Sequence, residues 1–285
     1  MNIKTKKTFL KIYLAAALAA GAGFAVWRTL LLKRFCNPSD MSFEDGALPT
    51  LRVFEYALLA ACVLLATCVF FAGKTRFGLF GARISTTSVT VCAVCGFMLA
   101  TVGVLAFIYH SDTILDFSDK SVMGYRIFYL AALGSMFIGA LYFLGRASIV
   151  LKNSSSLAAL SLSLPIFCIA HLVASYFNSE LPLLDFNRVT SEIAFIAVLM
   201  FVLTEASLST GGKNYAWRFA SSLICIVCVC AYIVPLLILV AFWEMRLSLS
   251  LLTEISLMGI LLYALFAAFN AIRTLEETPK EEEKT

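Results

Sequence analysis

Charge is what this sequence lacks most. Asp, Glu, Lys and Arg supply 14% of its 285 residues while apolar residues supply 61%. A water-soluble domain carries about 25% charged and about 45–50% apolar residues. A soluble globular domain is therefore excluded, and the net charge of +4 is too thinly spread to mark a nucleic-acid surface. Enzyme signatures are missing as well. There is no HExxH zinc pair, no phosphate-binding P-loop and no GxSxG nucleophile elbow. No catalytic, cofactor-binding or metal-ligating residue is assigned, and no enzyme activity is expected. No connection between apolar stretches is long enough to hold a soluble catalytic or output domain.

What the sequence does have is long apolar runs. A bilayer core about 30 Å thick is crossed by roughly 20 apolar residues in a helix. Eight such runs are read at 9–32, 49–72, 85–109, 123–144, 157–177, 189–208, 219–242 and 249–271. A closed β-barrel would need short strands of alternating polarity, and these runs do not alternate. Helices satisfy their own backbone hydrogen bonds in lipid. The expectation is an all-α integral membrane protein, a bundle of about eight transmembrane helices. The first run continues into RTLLLKR and is read as a retained span, being too long for the apolar core of a secretion signal.

Basic residues favour cytoplasmic loops. With the N-terminus inside, the cytoplasmic segments collect Lys4, Lys6, Lys7, Lys11, Lys74, Arg76, Arg83, Arg146, Lys152, Lys213, Arg218, Arg273, Lys280 and Lys284, which are 14 of the 22 Lys and Arg residues. The three internal cytoplasmic loops carry no acid, whereas Asp40, Glu44, Asp45, Asp112, Asp116, Asp119, Glu180 and Asp185 gather on the other side. Both termini are thus expected inside: residues 1–8 as a basic cytoplasmic N-terminus, 9–271 as one transmembrane domain, and 272–285 as an acidic, disordered cytoplasmic tail. The expected location is a cell (inner or plasma) membrane. The bilayer is the expected partner; a homo-oligomer or a membrane-protein partner is left open.

Arg52, Arg126, Arg188 and Arg246 each stand near the outer entrance of an even-numbered span. They suggest a reiterated helical hairpin, although arginines snorkelling to an interface would look the same. Small residues recur every fourth position at Ala15, Ala19 and Gly23, at Ala131, Ser135 and Gly139, and at Ala264 and Ala268. Such stripes let helix backbones approach closely. Pro165 and Pro235 fall within spans five and seven and predict kinks.

The candidate site residues are the acids and one histidine within these spans. Glu192 and Glu205 bracket span six, about 20 Å apart at roughly 1.5 Å per residue. Glu192 is read in the first turn, where an anion complements the helix dipole and Arg188 stands four residues back. Glu205 lies near a helix C-terminus, where the dipole disfavours an anion. It requires a basic partner, water or a raised pKa, and Arg146, Lys152 and Lys213 are the candidate partners. Glu55, Glu192 and Glu254 occupy the outer parts of even-numbered spans. His171 lies in the outer third of span five, and His110 closes span three at the same surface. If these helices adjoin, the group lines an outward-facing polar pocket able to bind a cation or exchange protons; the plainer alternative for His171 is one hydrogen-bonded side chain. Of the nine cysteines, Cys92 and Cys95 form CxxC, and Cys225, Cys228 and Cys230 form CIVCVC. In apolar spans these read as packing residues.

The segment SLPIFCIAHLVASYFNSELPLLDFNRVTSEIAFIAVLMFVLTEASLSTGG carries a Leu-Pro that opens a span, aromatics after it, a short acidic or Asn-bearing turn, and a span with an acid near its start. In Pro165, Phe167, Glu192, Phe195 and Ala206 it resembles a group of uncharacterised polytopic integral membrane proteins of anaerobic Gram-positive bacteria. That resemblance implies a bacterial inner-membrane protein and transfers no activity. The leading functional expectation is transport or permeation of a small solute, from the acids and the prolines in the spans. The alternative is a sensory or accessory membrane subunit that acts through a protein partner, followed by a lipid-modifying membrane enzyme.

Overall fold

A computed structural model describes residues 3–37, 43, 46–72, 86–115, 122–148, 155–177, 185–210, 214–242 and 249–274. Among them the regular structure is entirely helical. The helices are α1 (Ile3–Phe35), α2 (Leu48–Ala66), α3 (Cys68–Ala72), α4 (Thr86–Leu115), α5 (Met123–Ala147), α6 (Ser155–Ser161), α7 (Ser163–Phe177), α8 (Phe186–Ser209), α9 (Tyr215–Phe242), α10 (Leu249–Ile255) and α11 (Leu257–Thr274). Taken across their breaks, eight of them are long and apolar enough to cross a membrane. Residues 38–42, 73–85, 149–154, 211–213 and 275–285, where much of the charge asymmetry lies, fall outside the described residues.

Three of the eight spans are broken, each at an identifiable cause. Thr67 separates α2 from α3: its hydroxyl donates to the Leu64 carbonyl at 2.6 Å and its amide to the same oxygen at 3.2 Å. Ser256 separates α10 from α11 in the same way, with its hydroxyl on Thr253 O at 2.5 Å and its amide on that oxygen at 3.1 Å. A side-chain hydroxyl that bonds back three residues competes with the regular i to i−4 ladder. The third break, at Leu162, follows from Pro165. Its ring cannot donate to the Ser161 carbonyl and crowds that turn. The expected kink in span five is thus a full interruption, whereas α9 runs through Pro235.

Helix α9 forms the centre of the bundle. It packs against α1, α2, α3, α8 and α11, and 72% of its apolar window is buried, against 28% for the first two spans. Helices α4, α5 and α7 form a second layer joined to the first through α11 and α8. Outward faces carry Val26, Val63, Phe70 and Ile108, all more than half exposed, a surface that suits hydrocarbon rather than water.

Helix α1 meets α9 along Leu10, Leu14, Ala17, Gly21, Ala25, Arg28 and Leu32, all buried. These recur at three- and four-residue steps, one helical face. The small stripe Ala15, Ala19, Gly23 lies on the exposed side. A Cβ on Gly21 would stand 3.2 Å from Cys230 Cβ, while one on Gly23 would meet nothing within 4 Å. The tightest helix approach involving backbone is at Gly96 of α4, where a Cβ would lie 2.8 Å from Leu144 Cγ and 3.1 Å from the Ala140 carbonyl. Overpacking of this kind costs about 1–3 kcal/mol. Gly96→Ala is therefore expected to lower the thermal unfolding midpoint in detergent, and Gly23→Ala to leave it unchanged or raise it. Equal behaviour of the two variants would show that α4 and α5 do not meet at Gly96.

Candidate functional site

Two buried polar constellations lie at opposite ends of the α8–α9 pair. The first is at the end of the bundle that holds the N-terminus. Glu205 in the penultimate turn of α8 and Arg218 in the first turn of α9, 13 residues apart, face one another. Arg218 Nε donates to Glu205 Oε1. Tyr263 of α11 donates its hydroxyl to Glu205 Oε2 at 2.7 Å, and Arg146 Nη1 of α5 stands 3.5 Å from the same oxygen. Arg146 Nη1 also donates to the Tyr142 hydroxyl one turn earlier, at 2.5 Å. Beside this knot Thr204 and Ser221 share a hydrogen bond of 3.0 Å across the same helix pair. The carboxylate at the unfavourable end of the α8 dipole is thus held by two guanidiniums and a phenol from three other helices. Of the expected partners, Arg146 is in place and Lys152 and Lys213 lie outside the described residues. Arg218 and Tyr263 were not anticipated as partners.

The second constellation is at the other end, around Arg28, whose side chain is completely buried. Its Nη1 donates to the Tyr232 carbonyl of α9 at 2.6 Å and its Nη2 to Asn187 Oδ1 of α8 at 3.0 Å. The guanidinium carbon lies 4.6 Å from the centre of the Tyr232 ring and 5.7 Å from that of Phe186, within cation–π range. Pro235 stands three residues further along α9, and its missing N–H removes the helical donor of the neighbouring Ala231 carbonyl. Arg28 Nε has no hydrogen-bond partner among the described residues.

Glu254 lies close by, on the short helix α10 that ends at the Ser256 break. It is buried. Ser191 of α8 donates to its Oε1 at 3.4 Å, and the Tyr232 hydroxyl is within hydrogen-bonding reach of its carboxylate. Its neighbour Thr253 accepts from the Tyr129 hydroxyl of α5 at 3.2 Å. Arg28 acts electrostatically on Glu254, yet the two form no direct ion pair. Each is held by neutral groups of α8 and α9 instead.

The remaining candidates occupy separate places. Glu55 is buried and accepts from Arg52 Nη1 at 2.6 Å, three residues back on α2. Glu192 is half-buried and accepts from Arg188 Nε at 3.0 Å. It sits in the second turn of α8 rather than the first, because the helix begins at Phe186 with Asp185 as its cap, whose carboxylate accepts the Arg188 amide at 3.1 Å. Arg188 itself is buried, while its acid is partly exposed. His171 is buried, with its ring stacked on Phe195 at 3.9 Å between centroids and an angle of 17°. Its Nδ1 makes no hydrogen bond among the described residues. The His110 side chain lies outside the described residues. No hydrogen bond or ion pair joins any two of Glu55, His171, Glu192, Glu205 and Glu254 among the described residues.

Chemically the two constellations differ. Glu205 is closed in by charge and hydroxyl on both oxygens, a tie between helices. Arg28 and Glu254 are a cation and an anion from distant spans, buried near one another and kept apart, beside the Ser256 break and the proline of α9. Four residues that complete this second group, Arg28, Asn187, Ser191 and Tyr232, were not singled out from sequence. The available signal was that Arg28 extends the buried small face Ala17, Gly21, Ala25. No family model, no curated protein and no solved structure matches the chain.

Proposed function

We propose that this chain is a membrane carrier or permeation protein for a small charged or zwitterionic solute, with Arg28 and Glu254 as its binding groups. The observation that carries the reading is the separated, buried Arg28–Glu254 pair. A charge in the membrane interior costs about 2.5–3.5 kcal/mol even on the insertion scale. A direct ion pair would offset part of that cost, and here the two charges are held apart by Tyr232, Ser191 and Asn187. A guanidinium suits a carboxylate or phosphate group, and a carboxylate suits an ammonium. The setting supports the same reading. Helix interruptions buried in protein at membrane depth are where carriers place their binding groups, and Glu254 stands two residues from one such break and Tyr232 three residues from Pro235. In this reading the basic residues keep both termini inside, so that the Arg28–Glu254 group faces the outer half of the bilayer.

The test is water access. Ser191→Cys exchanges one oxygen for sulfur in this region, and Thr253→Cys makes the same exchange and removes a methyl group. Their labelling by a charged, membrane-impermeant thiol reagent, located by peptide mapping, is expected from the outer side of intact cells. Complete protection of both positions, while exposed control positions react, would overturn the proposal in favour of a subunit that works through a partner.

A further inference from the structure

Cysteine supplies the feature that neither the fold nor the proposed carrier activity uses. Cys62 of α2 and Cys228 of α9 are 166 residues apart, and their sulfurs stand 3.3 Å from one another. Both thiols are free. They lie near the middle of their respective spans. Cys228 is buried in the bundle centre, whereas Cys62 is half-buried, beside the outward-facing Leu59 and Val63 of α2. In the membrane reading the open side of the pair is the lipid-facing side of α2.

From this geometry we infer that Cys62 and Cys228 form a redox-active dithiol that closes to a disulfide between α2 and α9 when a lipid-soluble two-electron oxidant such as a quinone reaches it. The step balances within the pair: two S–H bonds break, one S–S bond forms, and both protons and both electrons pass to the quinone, which leaves as the quinol. A disulfide has S–S of about 2.05 Å, so each sulfur moves by well under 1 Å. Neighbouring cysteines do not compete on the same terms. Cys95 donates its thiol to the Gly259 carbonyl at 3.0 Å and Cys36 its thiol to the Asn37 carbonyl at 3.7 Å. The chemical consequence is a clamp. Helix α2 packs on few neighbours and exposes much of its surface, and the bond would tie it covalently to the central helix.

The experiment uses the full chain in lipid nanodiscs. The protein is treated with a short-tailed benzoquinone, denatured with an excess of alkylating reagent, and weighed intact and after digestion. Untreated protein should take up nine alkyl groups, one for each cysteine. Quinone-treated protein should take up seven, yield a Cys62–Cys228 linked peptide, and return to nine after dithiothreitol. Cys62→Ser and Cys228→Ser should each hold the count at eight with or without quinone, and Cys230→Ser should fall from eight to six. Uptake that stays at nine after quinone, or a linked peptide that joins any other pair, would overturn the inference. Because the readout is thiol mass, its result is independent of whether the chain carries a solute.

Discussion

Glu205→Ala is expected to lose about 3–5 kcal/mol of stability, because it leaves the Arg218 and Arg146 guanidiniums buried without their carboxylate. The magnitude comes from desolvation more than from the pair's own attraction. A buried ion pair can contribute little net stability while the removal of one partner is severe, since the other charge has nowhere to go. Both Oε atoms of Glu205 are occupied, so the loss extends to Tyr263, whose hydroxyl donates there, and to the seam where four helices meet. A carboxamide is an informative second substitution. Glu205→Gln keeps one acceptor oxygen but turns an N–H₂ toward a guanidinium, and should fall between the parent and the alanine variant. The decisive check is non-additivity: replacing Arg146, Glu205 and Arg218 together by Met, Leu and Met should restore most of what Glu205→Ala removes. Thermal unfolding in detergent micelles reads both. A Glu205→Ala midpoint equal to the parent's would mean that the guanidiniums find water, and that α5, α8, α9 and α11 are not tied at this point.

How much of this was legible in the chain follows from which forces act locally. The eight spans were legible because lipid forces every backbone polar group to be satisfied within its own segment, so length and apolarity suffice. The break at Leu162 had a visible cause in Pro165. Those at Thr67 and Ser256 did not, since a threonine or serine in an apolar helix more often bonds back without interrupting it. The need of Glu205 for a base was legible from the helix dipole, and Arg146 was among the candidates. Arg218 was visible only as one more cytoplasmic charge, because the packing of α9 on α8 that sets it against Glu205 is a matter of tertiary geometry. Arg28 was obscured by a frame ambiguity. Ala15, Ala19, Gly23 and Ala17, Gly21, Ala25 are two interleaved stripes on α1 with the same four-residue step, and only the packing of α9 selects the second, which points Arg28 inward. The Cys62–Cys228 contact had no local signal at all.

The Arg28–Glu254 pair carries the second large expectation, and its two members should behave differently. Arg28→Ala removes the donors that hold the Tyr232 carbonyl and Asn187, vacates the space over the Tyr232 ring, and leaves Glu254 without its nearby cation. A loss of about 3–5 kcal/mol is expected, as for other broken buried charge networks. Arg28→Lys should recover only part of it, since an ammonium cannot span the carbonyl and the amide oxygen as the planar fork does. Glu254→Gln is the milder change for the fold. The Ser191 and Tyr232 hydroxyls donate or accept with equal ease, so an amide fits where the carboxylate was, at a cost of about 1 kcal/mol. For a carrier the same substitution is severe, because a hydrogen bond to a charged group contributes about 1.5–3 kcal/mol, and its loss corresponds to roughly 10- to 150-fold in affinity. Proteoliposomes offered labelled amino acids, organic acids and organic phosphates should therefore show uptake by the parent that Glu254→Gln lowers by about that factor while its thermal midpoint stays close to the parent's. A Glu254→Gln variant that unfolds as readily as Arg28→Ala, from a parent that takes up none of these solutes, would make the separated charges a structural tie of the same kind as Glu205 and would leave the bundle without a binding site at this end.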